Sequence, residues 1–207
     1  MFSHPAFSFM QHDLATNHTF LSCVAAVARE VDHPIHTKCL DILCNLTRLP
    51  ANNLILTQFE SIVETLIMAS NSTNPANRLA ALHALQNMSS DAGSKTLLAT
   101  SAVLNLLTSC AMRKDAEEKD IAVATLYNIT TEPGAVTAIT NTKNVVATLV
   151  HLAHSPDSSS EVRLLACEAL ATISLWLQTL AGTGKVPEGV VNVPLPSQKT
   201  TGWERWD

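Results

Sequence analysis

Apolar residues fall into two ladders at helical spacing, and both ladders return after a nearly constant distance. Leu21, Val63, Leu104 and Val146 stand 42, 41 and 42 residues apart. Three residues after each come Val24, Leu66, Leu107 and Leu149. Residues three apart share a helix face, so each pair predicts one amphipathic helix. The second ladder runs through KCLDILCNLT (38–47), AALHALQNMS (80–89), IAVATLYNIT (121–130) and LACEALATIS (165–174). Taken from Asn45, Asn87, Asn128 and Thr172, its steps are 42, 41 and 44. Six residues earlier stand Cys39, Ala81, Ala122 and Ala166; two earlier, Leu43, Leu85, Leu126 and Leu170; one later, Leu46, Met88, Ile129 and Ile173. These offsets follow one helix face, and the small residue lets a neighbouring helix come close.

Short helical pieces at 53–58, 95–100 and 135–140 precede the first ladder, so each unit reads as one short helix and two longer ones. Start signals for the last helix of each unit are Pro34, Asn74 with Pro75, Asp120, and the hydroxyls Ser158–Ser160. A simple helical bundle explains the helical period but not the return of the same residue types every 41 to 44 positions. The recurring A-x-x-A/T-L-x-N-L/I-S/T core resembles the armadillo repeat, a unit of about 40 residues and three helices. That resemblance implies an all-α fold, a right-handed α-solenoid of about four armadillo-type repeats over residues 14–181. An N-terminal segment (1–13) would precede it and an irregular C-terminal tail (182–207) would follow. Armadillo units often carry glycine between their first and second helices. Here Ser61, Ala102 and Asn144 stand there, so the turn must form without glycine's freedom.

Composition narrows the function. Charged residues make up 15% of the 207 residues, against roughly a quarter in a typical soluble domain. The net charge of −5 argues against a nucleic-acid partner, which calls for clustered positive charge. In the tail, Lys185, Lys199 and Arg205 cancel Glu188, Glu204 and Asp207, so the net charge belongs to the solenoid. Its densest stretch, Asp115, Glu117, Glu118 and Asp120, reads as a solvated loop before a helix. The longest apolar stretch, Leu164 to Gly182, is interrupted by Glu168 and Gln178 and fits the last repeat, so no membrane insertion is expected. Five scattered cysteines and no leader-like N-terminus suggest reduced thiols and a cytoplasmic or nuclear location.

No catalytic constellation is visible, and the chain is expected not to be an enzyme and to need no cofactor. Gly182-Thr-Gly184-Lys185 lacks the outer residues of a phosphate loop. His33, His36, Cys39 and Cys44 have metal-capable spacing, but Cys39 occupies the small core position, so no metal site is expected. The resemblance implies a protein–protein interaction module, an adaptor or scaffold, holding an extended peptide or a helix in its concave groove. By the same resemblance Asn45, Asn87 and Asn128 would contact the peptide backbone, with Asp41, His83 and Glu168 one turn earlier in the groove. The amides could equally tie adjacent units together, since an amide both donates and accepts. The alternative function is a substrate-recruiting or regulatory part of a ubiquitin-ligase or similar complex. Trp203 and Trp206 are candidate partner anchors in the tail. The apolar helix around Trp176 leaves room for end-to-end self-association through the C-terminal repeat.

Overall fold

The computed structural model describes residues 5–31 and 33–182, with side chains from residue 9 onward. The tail anchors Trp203 and Trp206, and the tail itself beyond residue 182, lie outside the described residues. All elements among the described residues are helices. The first unit holds α1 (Pro5–Thr16), α2 (His18–Arg29) and α3 (His36–Thr47). The second holds α4 (Pro50–Gln58), α5 (Glu60–Ala69) and α6 (Pro75–Met88), and the third α7 (Ala92–Leu98), α8 (Ser101–Ala111) and α9 (Ala116–Thr130). A 3₁₀ turn (Pro133–Ala135) leads into α10 (Val136–Asn141), α11 (Val145–His154) and α12 (Ser160–Gly182). The three-helix unit thus recurs four times, as the ladders require.

Local chemistry explains most helix starts. Asn74 Oδ1 accepts from the Ala76 backbone N–H, and Pro75 opens α6. Asp115, not Asp120, caps α9: its carboxylate accepts from the Glu118 N–H at 2.9 Å. Asp120 lies in the second turn of that helix. Ser159 Oγ accepts from the Val162 N–H at the start of α12.

Helices of one kind stack in rows. α3, α6, α9 and α12 form a closely packed row, whereas α5, α8 and α11 touch far less. A stack tight along one row and loose along another curves toward the tight row, so the third helices line the inner face. The small-residue positions make that closeness physical: Ala81, Ala122 and Ala166 are all fully buried. The Leu85, Leu126 and Met88, Ile129 rungs are buried too. The second-helix ladder slips by one position in two units. Ile62 and Val145, rather than Val63 and Val146, are the fully buried residues there. They sit four residues before Leu66 and Leu149, a spacing that shares a helix face as well as three does.

The glycine-free turns are solved in two ways. Ser61 and Ala102 lie inside α5 and α8; Phe59 (φ −85, ψ 91) alone joins α4 to α5, and Ala99 (φ −72, ψ 45) with Thr100 (φ −91, ψ 153) joins α7 to α8, so neither turn needs left-handed backbone. Asn144 adopts φ 74, the one left-handed non-glycine residue among those described. Asparagine tolerates that region better than other side chains. Its side chain makes no capping bond, so substitution there isolates the backbone effect. Asn144→Gly should leave stability unchanged or raise it. Asn144→Ala should lower it by about 1 kcal/mol, a melting shift of about 3 °C, readable by thermal circular dichroism.

α12 is the one helix among the described residues long and apolar enough to cross a membrane, with mean hydropathy 1.5. Its first half packs Val162, Ala166, Ala169 and Ile173 into the fourth unit. Further along, Leu175 is exposed and Trp176 half-buried, with the indole N–H shielded from solvent and unpartnered.

Candidate peptide-binding face

On the inner row, the recurring asparagines follow one bonding rule. Asn87 Nδ2 donates to Thr47 Oγ1 of the preceding unit at 3.1 Å, and Asn128 Nδ2 donates to Ser89 Oγ at 3.0 Å. Each hydroxyl passes its own proton back to a helix carbonyl: Thr47 to Cys44 and Ser89 to Gln86. These hydroxyls are the Thr/Ser that follows each reference Asn by two residues. One column of the repeat therefore fastens to the other column one unit earlier. Both amide oxygens, Asn87 Oδ1 and Asn128 Oδ1, accept no hydrogen bond in the fold, and both residues are only half-buried. Among the described residues no third helix precedes that of Asn45, which is exposed. At the other end Thr172 Oγ1 turns back to Glu168 O at 2.8 Å. Thr130, the next hydroxyl in line, donates to Tyr127 O but receives no amide.

The positions one turn earlier differ in character. Asp41 is half-buried, and His83 and Glu168 are exposed. His83 Nε2 lies 3.8 Å from Glu117 Oε1. Asp120 is held above the usual carboxylate range, first by desolvation and then by the charge of Glu161 on α12. The opening turns of α9 and α12 thus carry Glu117, Asp120 and Glu161 with Lys119 and Arg163, and Glu168 is exposed further along α12.

The acid-rich stretch is not a solvated loop. It forms the start of α9, and Glu118 is 1% exposed. Its carboxylate accepts from Arg78 Nε at 2.5 Å and from Arg113 Nη1 at 2.8 Å. Arg113 also donates to Ser70 O and Asn71 Oδ1, and Arg78 to Ser72 O and Thr73 O. Two guanidinium groups and one carboxylate clamp units two and three together. At the same place in earlier units, His36 Nε2 and Asn77 Nδ2 pair at 3.2 Å, both buried. The repeat pattern hides this column because its residue type changes from His to Asn to Glu. Its signal is the step of 41 residues from 36 to 77 and again to 118.

Cys39 is buried, and desolvation raises its thiol pKa. Cys44 is pushed up to about 12, by desolvation first and then by Asp41, and its Sγ donates to Ala80 O. Both are packing thiols held in their protonated form. Among the described residues no group of three or more His, Cys, Asp and Glu is placed to hold a metal ion.

Stacked three-helix units with a tight inner row define an α-solenoid. Solved structures place it more narrowly. An engineered protein superposes with a TM-score of 0.61 at 22% identity, over 86% of this chain and 78% of that one. A designed armadillo repeat protein gives 0.50 at 16% identity, over 85% and 87%. Another, solved in complex with the peptide (KR)4, gives 0.50 at 17% identity, over 87% and 88%. The fold is that of the armadillo repeat. No family model and no curated protein matches the sequence.

Proposed function

We propose that the inner face is a non-catalytic docking groove for an extended segment of another protein. The observation that carries this reading is the free Oδ1 on Asn87 and Asn128. One N–H of each amide is spent on the preceding unit, which fixes the side-chain rotamer. The carbonyl oxygen then stands at repeat spacing as an acceptor for peptide backbone N–H groups. Fastening and binding are two ends of one side chain, not alternatives. An acceptor fixed before binding loses little rotamer entropy on contact.

The acids on units three and four favour a neutral to basic segment. A designed armadillo neighbour holds an alternating Lys-Arg peptide, and a basic occupant here follows the same charge logic. In this reading α12 is the third helix of the fourth unit and not a membrane span, because Ala166 continues the buried row of Ala81 and Ala122.

The test uses extended peptides selected on the wild-type chain from a random library. Asn87→Ala with Asn128→Ala should weaken their binding at least about tenfold, since two charge-free hydrogen bonds of about 1 kcal/mol each are lost along with the groove's order. Thr47→Val with Ser89→Ala removes the same fastening but keeps the acceptors. The two double variants should lose similar melting temperature, and the second should keep more of the binding. If binding survives in the asparagine pair, the amides only hold the stack and the proposal falls.

A further inference from the structure

Each inner third helix turns one side to the next unit and another to the unit before it. Thr47 and Ser89 receive the next unit's asparagine, so they mark the forward side. Residues seven and four positions before them share that face: Leu40 and Leu43 in α3, Leu82 and Leu85 in α6, with Val123 and Leu126 before Thr130 in α9. All of these are buried. In α12 the same stripe is Cys167, Leu170 and Ser174, and there Cys167 is exposed and the other two half-buried. The asparagine side shows the converse. Three residues before Asn87, Asn128 and Thr172 stand Ala84, Thr125 and Ala169, all fully buried. Three before Asn45 stands Ile42, which is 36% exposed.

The outer row repeats the pattern. Thr65, Leu106 and Thr148 are buried, whereas Cys23 at the same register in α2 is exposed. Thr108 in α8 is buried, whereas Val150, its counterpart in α11, is 44% exposed. Isolated solenoids carry polar outer faces on their terminal units, but Val150 and Leu170 keep the forward side of unit four apolar. The bonding rule of the inner row is also left half-made on two units. Among the described residues the Asn45 side chain makes no hydrogen bond, and Ser174 receives none. Unit one thus offers an unspent amide, and unit four offers the hydroxyl that such an amide meets elsewhere in the array.

We infer that a second copy of this chain stacks its first unit on α12, head to tail, with Asn45 of one copy donating to Ser174 of the other. Ile42 then covers the stripe that Cys167 and Leu170 leave open. The amide is what selects this occupant over an unrelated helix. A third helix of this repeat presents it in the register that Ser174 requires, and Asn87 and Asn128 have already spent theirs inside the array. The two mating faces differ, so the contact does not close on itself, and association continues past the dimer. The joint uses the amide nitrogen and leaves the groove oxygens free, so it does not depend on the groove being a docking surface.

The experiment is sedimentation velocity of the full chain in reducing buffer over a range of concentrations. The average mass should rise with concentration and pass that of the dimer. Ile42→Glu and Cys167→Glu each place a charge in the joint, and each should keep the chain monomeric where the wild type associates. Each variant retains one sound face, so their equimolar mixture should form dimers and stop there. Asn45→Ala removes only an exposed amide and should weaken association about fivefold. It also supplies the readout if a glutamate variant loses helical content. At dilution the variants should melt with the wild type, because the replaced side chains reach solvent. A wild type that stays monomeric overturns the joint, as does a mixture no larger than its components or association unchanged by Asn45→Ala. Association that survives Ile42→Glu but not Cys167→Glu means that α12 pairs with itself, and it overturns the head-to-tail arrangement.

Discussion

Replacing Glu118 with alanine should cost about 3 kcal/mol and lower the melting temperature by roughly 6 to 12 °C. The carboxylate is 1% exposed and takes hydrogen bonds from Arg78 and Arg113, which reach it from units two and three. Removing it strands two guanidinium groups beside the backbone carbonyls they also serve. The arginine side chains are 21% and 26% exposed, so water recovers part of the loss. That places the cost near the lower end of the range for breaking a buried pair. Glu118→Gln keeps the shape and one acceptor and should cost less. Urea titration of the three chains settles the order. A loss under about 1 kcal/mol for the alanine variant would mean that desolvation offsets nearly all that the clamp contributes.

The second large effect lies in the apolar core. Leu85 is fully buried at the centre of the inner row, and Leu85→Ala should cost about 3 kcal/mol through lost transfer energy and the cavity left behind. Leu175, also a leucine on a third helix, is 56% exposed, and Leu175→Ala should change stability by less than about 0.5 kcal/mol. The contrast tests burial, not residue type. In a repeat array each unit meets only its neighbours. A cavity at Leu85 should therefore weaken the joint between units and broaden the unfolding transition. An equally sharp transition at lower denaturant would show that the array melts as one block.

Much of this architecture is legible in the amino-acid pattern alone, for a physical reason. The Ala81, Ala122 and Ala166 column and the Leu85 and Leu126 column recur because stacking imposes the same packing demand on each unit. Recurrence makes such a demand visible. The second-helix ladder is legible only to within one residue. Val63 and Ile62 are both branched and apolar, and pattern alone cannot say which one faces inward. The acids from Asp115 to Asp120 mislead because the partners that bury Glu118 are Arg78, 40 residues earlier, and Arg113, before the helix. Only the threading of one unit onto the next brings them together. The start signal at Asp120 fails for a related cause, since Asp115 also has capping chemistry and stands one turn upstream. The asparagine rule is within reach: an Asn column and a hydroxyl column both stand in the repeat. A bond between consecutive units is the one arrangement that uses both.

That rule stops at Thr172, and the stop has a mechanical meaning. Apolar surfaces hold two bodies together but leave them free to turn slightly on their common axis, because dispersion has no preferred direction. A hydrogen bond at a fixed radius acts as a key in a shaft. The joints at Asn87 and Asn128 are keyed. The joint before α12 is clamped by Ala166 and Ala169 without a key. The first three units are thus held in register by side-chain hydrogen bonds, while the fourth is held to the third by apolar packing alone along this row.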